Sequence, residues 1–411
     1  MRIRPRNWIA RVPTDRTART SSVDKRTDPC QPSNVPDWKL FREEAKRLAG
    51  DGPEEWGWLQ VLDNRLMADE DAPEPPVTPW WRETLRAFWA SGRAFFANAK
   101  GQRSTASTTI TRCLVLETAM REREVVLGQM AMSPIISANT AEANQRCGPL
   151  EIVLSKGLRL SKVAERAKLE ASNYFGSTNE AQGRSVFDLL DTGGHKIRLA
   201  VAPATREAAS GFTGAGALVD ELDLWPSTGA NAAADVLTLL HGRLHSQKGA
   251  RIYHVSTPMG PSGPLSTMIR NAEKSGAEEL FVSRLGELGA RRDGEAREAF
   301  RKHLQQRARH ADDPATRASC ARWEADPRLS RDPDPRSFLI PTWAARAGDP
   351  FLEIKECWRL VGVQLRDGDE GGDPLDVLMA RYGAEPAGSD GRRLFSPSVL
   401  SQARGVSPVW S

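Results

Sequence analysis

The sequence predicts an α/β fold with a mostly parallel sheet and helices on both faces. Three observations lead there. Apolar, β-rich runs at 94–99, 125–137, 196–203, 216–224 and 250–258 alternate with stretches of helical periodicity, the pattern that parallel βαβ units produce. Three of these runs end in small, hydroxyl or acidic residues, at "KGQRSTASTT", "VDELD" and "VSTP", where open α/β sheets hold their ligands. The composition is that of a globular chain, 411 residues with 39% hydrophobic and 27% charged, long enough for two or three domains.

The elements follow in order. Residues 1–35 hold eight Arg or Lys against Asp15, Asp24 and Asp28, a balance of +5 within a total of +4, so the rest sums to −1. A tail of this kind is expected to be a disordered, solvated basic arm, or an arm that touches nucleic acid through phosphate contacts. Asp37 to Leu48 reads as a helix stopped by "AGDGPEE", and "ADEDAPEPPVTP" (68–79) is an acidic, Pro-rich linker. A helix then starts at Pro79, with Trp81, Leu85, Phe88 and Trp89 on or near one face as core packing and Gly92 near its end. "AFFANA" is a short buried strand. The helices expected between the later strands are "TITRCLVLETAMRERE", "AEANQRCGPLEIVLSKG" and "GANAAADVLTLLHGRLHSQ". Beyond 260 the pattern becomes charged helix and then Pro/Asp-rich turns. The expected organisation is a tail (1–35), a helical segment with linker (36–77), a core (78–262), a mainly helical lid (263–400) and a C-terminal tail (401–411).

No apolar run approaches the roughly 18–20 residues that span a bilayer, and the N-terminus has no apolar stretch of leader length. Cys30, Cys113, Cys147, Cys320 and Cys357 lie far apart in no metal-ligand spacing and read as reduced thiols.

The chemistry concentrates at the three strand ends. Asp220 and Glu221 close an apolar run, and two carboxylates there are costly unless they hold a cation or a water; the same letters also suit an acidic turn after a strand. Ser256, Thr257 and Pro258 close the next strand, where hydroxyls can sense a phosphate, or simply cap a turn. The loop from Lys100 fits G-x-x-x-x-G-K-[ST] imperfectly. Counted from Gly101, Ala106 stands for the second Gly, Ser107 for the Lys and Thr108 for the hydroxyl. Backbone amides at a helix start attract anions whatever the side chains, and Lys100 and Arg103 could supply the charge; a hydroxyl-rich N-cap would read the same way. With the three signals in this order, an ATPase core is the best single account.

The series resembles the large terminase subunit of tailed bacteriophages. The matching blocks are "TPWWRETLRAFWASGRAFFANA", "MSPIISANTAEANQR", "SGFTGAGALVDELDLWP", "YHVSTPMGPSGPLSTMIRNAEKSG", "PTWAARAGDP" and "LDVLMARYGAEPAGSDGRRLFSPSVL", over roughly 78–400. The resemblance implies a P-loop ATPase of the ASCE, RecA-like type with a small helical lid. It also implies a motor that hydrolyses Mg-ATP and moves double-stranded DNA into a procapsid. By residue, Asp220 would bind Mg²⁺, Glu221 would be the catalytic carboxylate, and Ser256, Thr257 and Pro258 would form the coupling motif. Pro79 and Trp80 would lie at the adenine. The loop looks like the version whose Lys sits at the front. Lys100 and Arg103 would then face the phosphates with Gly101, Ser104, Thr105 and Ser107, and Thr108, or else Ser107, would hold the Mg²⁺. Implied partners are double-stranded DNA, the portal and procapsid, the small terminase subunit and further copies in a pentameric ring. The implied place is the host cytoplasm, transiently at the portal, with no membrane.

Three departures stand out. The Lys slot at 107 is Ser. Ser210 precedes Gly211 where an Arg is common, and Arg206 is four positions away, so no arginine finger is assigned. The nuclease that follows in the family is not expected in this chain. Two other readings are a DExD-type helicase, which "DELD" and "STP" imitate without its Arg-rich second motor domain, and a catalytically silent terminase relative acting as a DNA-binding or structural component.

Overall fold

Asp37 opens the first element as an N-cap, accepting from the Lys39 and Leu40 amides, and Gly50 closes it with a φ of 58°, a conformation glycine adopts at no steric cost. In the computed structural model, residues 37–68, 70, 73–121, 131–161, 177–179, 184–244, 247, 249–260, 262–366 and 373–385 are described. The basic tail, the first part of the 125–137 run and the C-terminal tail lie outside the described residues.

Helices α1 (Trp38–Ala49), α2 (Glu54–Val61, continued by a π-helical stretch over Leu62–Met67) and α3 (Pro79–Ala90) precede the sheet. Thr78 caps α3 and Pro79 occupies its first turn, where a missing N–H costs nothing. Then come β1 (Phe95–Lys100), α4 (Ala106–Met120), β2 (Ala131–Ser137), α5 (Thr140–Asn144), α6 (Cys147–Ser161), β3 (Ser177–Asn179), β4 (Arg184–Leu190), β5 (Lys196–Pro203), β6 (Thr213–Gly214) and β7 (Ala217–Asp220). A turn of 3₁₀ helix (Leu222–Leu224) leads to α7 (Ala233–Leu244), β8 (Ile252–Ser256), α8 (Pro264–Ser275) and β9 (Leu280–Val282). The chain continues with α9 (Gly286–His310), α10 (Pro314–Glu324), α11 (Pro327–Ser330), β10 (Leu339–Ile340), α12 (Thr342–Ala345), α13 (Pro350–Arg366) and α14 (Pro374–Arg381).

The strand order is β10-β1-β8-β7-β2-β5-β4-β3, with β6 also on β2 and β9 also on β1. Every pairing is parallel except β3 with β4 and β4 with β5, so the fold is a mixed, mostly parallel sheet with an antiparallel margin. Alternating residues of each strand face opposite layers, as the pleat requires. Phe96, Ile135, Leu218 and Tyr253 join one core with α1 to α4 and α6; Ala97, Ile136, Val219 and Ile252 join the other with α7 and α8. Trp81, Leu85, Phe88 and Trp89 are buried in the first core, as their helical spacing predicts.

A third core is helical, with Phe300 of α9, Trp343, Val361 of α13 and Tyr382. The segment expected as a lid also feeds the sheet, because β9 and β10 pair with β1 on the edge opposite β8. The described residues all belong to one compact unit, Val35–Ser411. No helix among them is long and apolar enough to cross a membrane, and Cys113, Cys147, Cys320 and Cys357 are free thiols.

Candidate active site

The sheet register brings the three strand ends level. Ala99 pairs with Ser256, and Asp220 pairs with Val255. Parallel strands send their loops off at one edge, so Lys100, Glu221 and Thr257 emerge side by side. They line a cleft of about 370 Å³ together with Gln102 to Thr108, Glu142, Gln145, Arg146, Leu224 and Met259. A larger cavity of about 890 Å³ lies in the helical core between Trp323 and Trp358 and shares no lining residue with the cleft.

Asp220 is fully buried and each of its oxygens is engaged. Ser107 Oγ donates to Oδ1 at 2.5 Å, while Arg146 Nε at 2.6 Å and Ser137 Oγ at 3.3 Å donate to Oδ2. The next residue, Glu221, sits in the left-handed region with φ 51° and ψ 47°, an uncommon conformation for a side chain that size. That turn takes its carboxylate into the cleft. Lys100 Nζ, only 4% exposed as a residue, donates to Glu221 Oε1 and, at 3.2 Å, to Thr257 Oγ1. The Thr257 amide donates to Glu221 Oε2 at 3.1 Å. Burial on its own would raise the Glu221 carboxyl, but the Lys100 charge and hydrogen bond, the Thr257 amide and Arg146 outweigh it and hold it below the usual range.

Ser256 Oγ accepts the Asp223 amide at 2.9 Å. The Asp223 carboxylate in turn accepts the amides of Met259 (3.2 Å) and Leu265 (2.8 Å). The segment after Pro258 is therefore tied to the turn after β7. Burial pushes the Asp223 carboxyl up to about 6, against those two amides and with Glu221 adding to the rise.

The phosphate-loop register expected from the sequence is corrected by one residue. The hydroxyl that meets Asp220 belongs to Ser107, not Thr108, because α4 begins at Ala106 and its second residue points down at the end of β7. Thr108, half-buried, lines the cleft one position further round. Counting back from Ser107, the Lys position of the motif falls on Ala106, the second Gly on Thr105 and the first Gly on Lys100. Thr105 has φ 64° and Arg103 has φ 62°, conformations a phosphate loop ordinarily gives to glycine.

Gly101 is held by geometry: a Cβ there would lie 2.1 Å from the Tyr382 carbonyl oxygen and 2.5 Å from Thr342 Oγ1. Its amide donates to Ile340 O and that of Gln102 to Arg381 O, while Trp81 Nε1 donates to Ser104 O at 3.0 Å. Ser104 Oγ is buried without a hydrogen-bond partner, unusual for a buried hydroxyl, and it lines the cleft.

Trp80 is a second correction. It is 2% exposed, its ring stands edge-on to Trp81, and its Nε1 donates to Leu285 O at 2.8 Å. It packs in the core at the start of α3 and does not line the cleft. Arg206 lies away from the site in an ion pair with Asp235. Arg146 ends the matching block "MSPIISANTAEANQR", but its own letters assign it no role; its place just past α5, the short helix that follows β2, is the signal that could have pointed to it.

The donor set fits Mg²⁺ with a phosphate ester. Ser107 Oγ and an Asp220 oxygen are hard ligands, and Mg²⁺ ordinarily takes one or two carboxylates plus phosphates and water. Among the described residues no cluster of three His, Cys, Asp or Glu forms a closed cage. The unpartnered Ser104 hydroxyl and the helix start of α4 suit phosphate oxygens.

No family model matches the chain, and no curated protein does. Solved structures similar to it include the HK97 bacteriophage large terminase, at a TM-score of 0.39 and 11% identity over 67% of this chain and 55% of that one. Another is the large terminase of a thermophilic bacteriophage, at 0.34 and 13% over 50% and 45%. A third is a mutant ATPase domain of the Thermus phage P74-26 large terminase, at 0.36 and 13% over 74% and 93%. The chain thus spans about half the length of the first two. Each of these three solved structures is a bacteriophage large terminase or an ATPase domain of one.

Proposed function

We propose that the chain is the ATPase of a terminase-type DNA-packaging motor, hydrolysing Mg-ATP to move double-stranded DNA into a procapsid. The observation that supports it is the convergence, in one cleft, of Lys100 and Ser107 from a strand–loop–helix with Glu221 and Thr257 from two neighbouring parallel strands, with Asp220 buried behind Ser107 and hydrogen-bonded to it. The DNA and procapsid parts of the reading rest on the ordered sequence blocks.

In this reading Lys100, the Ser104 hydroxyl and the loop amides bind the phosphates. Ser107 and Asp220 would hold Mg²⁺, which when bound neutralises charge on the phosphate oxygens. Glu221 takes the proton of the attacking water as its oxygen bonds to the γ-phosphorus and the bond to the β-phosphate oxygen breaks, leaving ADP and phosphate. Thr257, hydrogen-bonded to Glu221 and to Lys100, reports the state of the site to the segment after Pro258. The proposed partners are DNA, portal, small subunit and four further copies in a ring, in the host cytoplasm and transiently at the portal. No nuclease step is included.

The test is ATP turnover by the purified chain with and without double-stranded DNA, for wild type, Glu221→Gln and Lys100→Ala. Turnover that Glu221→Gln lowers by about 10²–10⁴-fold, and that Lys100→Ala lowers as well, is expected. Ala106 in the motif's Lys position favours the silent relative as the second reading. Wild type that stays inactive with DNA, small subunit and procapsid present would establish it.

A further inference from the structure

We propose that the groove between α10 and α13 is a docking site for an acidic amphipathic helix of a partner protein. The inference is independent of the nucleotide reading of the cleft.

Three helices here leave room for a fourth. Helices α10 and α13 each pack along α9, and Trp323 of α10 meets Trp358 of α13 edge to face at 5.0 Å. Beside that contact lies the cavity of about 890 Å³, lined from all three helices. On α13 the lining residues Leu352, Lys355, Arg359 and Gly362 recur at steps of three, four and three, the seam that one helix presents to another. On α10, Ala315, Ser319 and Trp323 recur at steps of four. Residues so spaced share a face, and two such faces make the trough into which a further helix packs. No strand lines the cavity, so an extended peptide would find no backbone edge to pair with.

The walls are apolar and open. Leu352 is 60% exposed, one of two large apolar side chains so exposed among the described residues. Gly362 lies inside α13, where glycine is a destabilising choice. A Cβ there would meet no atom within 4 Å, and its φ is not positive, so packing within the chain does not call for glycine. Its missing side chain keeps the trough open instead.

The rim sets the charge of the occupant. Arg307 and Lys355 line the cavity, and neither pairs with a carboxylate among the described residues; Lys355 Nζ rests over the Phe351 ring. The rim acids are already engaged. Asp313 accepts the Ala315 and Thr316 amides at the start of α10, and Glu356 pairs with Arg359 at 2.7 Å. Carboxylates beside the apolar face of an incoming helix would complete both cations. The chain's own ends carry the wrong sign: residues 1–35 sum to +5, and residues 386–411 hold Arg392, Arg393 and Arg404 against Asp390, or +2. Single-stranded nucleic acid needs open aromatic faces for its bases. Here Arg322 lies over Trp323, and Trp358 stands edge to face with both Trp323 and Phe300, so these rings are engaged within the chain.

The test is fluorescence polarisation of the full chain with a labelled peptide of about four helical turns, with leucines at helical spacing and glutamates beside them. One control peptide carries lysine for glutamate, a second holds the same residues in an order that breaks the spacing, and a single-stranded oligonucleotide is run alongside. The acidic peptide should bind at least about tenfold more tightly than either control. Gly362→Trp fills the trough from a position with open space, and it should weaken the acidic peptide by about tenfold or more with helix content retained. Arg307→Glu combined with Lys355→Glu, both at exposed positions, should reverse the preference in favour of the lysine peptide. Acidic and scrambled peptides that bind alike, or acidic binding that neither variant changes, would overturn the proposal. It is also overturned if the oligonucleotide binds more tightly and loses that binding in Gly362→Trp, which makes the groove a nucleic-acid site. Self-association of the chain alone that Gly362→Trp abolishes, followed by sedimentation, would assign the trough to a second copy instead.

Discussion

Ser107 Oγ donates to Asp220 Oδ1 across 2.5 Å, joining the first turn of α4 to the end of β7. That contact, and not the count from the glycine, fixes which hydroxyl belongs with the acidic pair. Ser107→Ala should weaken Mg²⁺ dependence of turnover by roughly 10–100-fold, the scale of losing an ordered metal-site partner. Thr108→Ala should stay within about threefold of wild type, because no bond joins it to Asp220. A Mg²⁺ titration of ATP turnover for both variants checks the assignment, and the reverse ranking would restore the register counted from Gly101.

Gly101→Ala should destabilise the chain by about 1–3 kcal/mol, the range for forced overpacking, since a Cβ would lie 2.1 Å from Tyr382 O. Thermal unfolding measures the loss. Nucleotide affinity should fall in the same variant, because relief requires the loop to lift away from Tyr382. Unchanged affinity would mean that the loop tolerates the shift.

Trp80 and Trp81 should separate by readout. Trp80→Phe removes the donor to Leu285 O and should lower stability by roughly 1–3 kcal/mol, the cost of a buried orphaned carbonyl, with nucleotide affinity preserved. Trp81→Phe removes the donor to Ser104 O and should weaken nucleotide binding as well. Isothermal titration alongside thermal melts tells them apart; loss of affinity in Trp80→Phe would put that ring back at the base.

Asp223 carries a pH signature. Its folded carboxyl is raised to about 6 from an ordinary 3.8, so between those values the folded chain holds more protons than the unfolded one. By linkage the contribution is fully present below about 4 and is lost as pH rises through 6. The loss is roughly 2–3 kcal/mol at about 1.4 kcal/mol per unit. Asp223→Asn should flatten the difference between stability at pH 4 and pH 7. Urea melts at the two values measure it, and an unchanged slope would assign the effect to another group.

Much of the scaffold was legible in the sequence because its signals are local. Asp37 and Thr78-Pro79 mark helix starts through caps that form within one turn, and "KIRLAVAP" is a strand over the same eight residues in the structure. The site was legible in outline, since Lys100, Glu221 and Thr257 meet although far apart in sequence. What escaped was set by distant contacts. Where α4 begins decides between Ser107 and Thr108, and the loop before it is held by Trp81, Thr342 and Arg381. Strands β9 and β10 have only three and two residues, too short for any periodicity, and exist through pairing with β1. Arg146 closes a matching block whose letters give it no chemistry, and it acquires its role only where it meets Asp220.

The main-chain bonds from Gly101 to Ile340 and from Gln102 to Arg381, with Thr342 Oγ1 on Gln102 O, give the phosphate loop a second anchorage beyond its own strand and helix. The short strand β10 and the helices around Thr342 and Tyr382 are stitched to it by peptide groups, which no side-chain rearrangement can undo. A loop displaced by an incoming anion must carry that whole region along or break several buried bonds at once. The far third of the chain is thus part of the wall that shapes the loop, and a substitution around Ile340, Thr342 or Arg381 alters the loop's setting without touching any residue of the cleft.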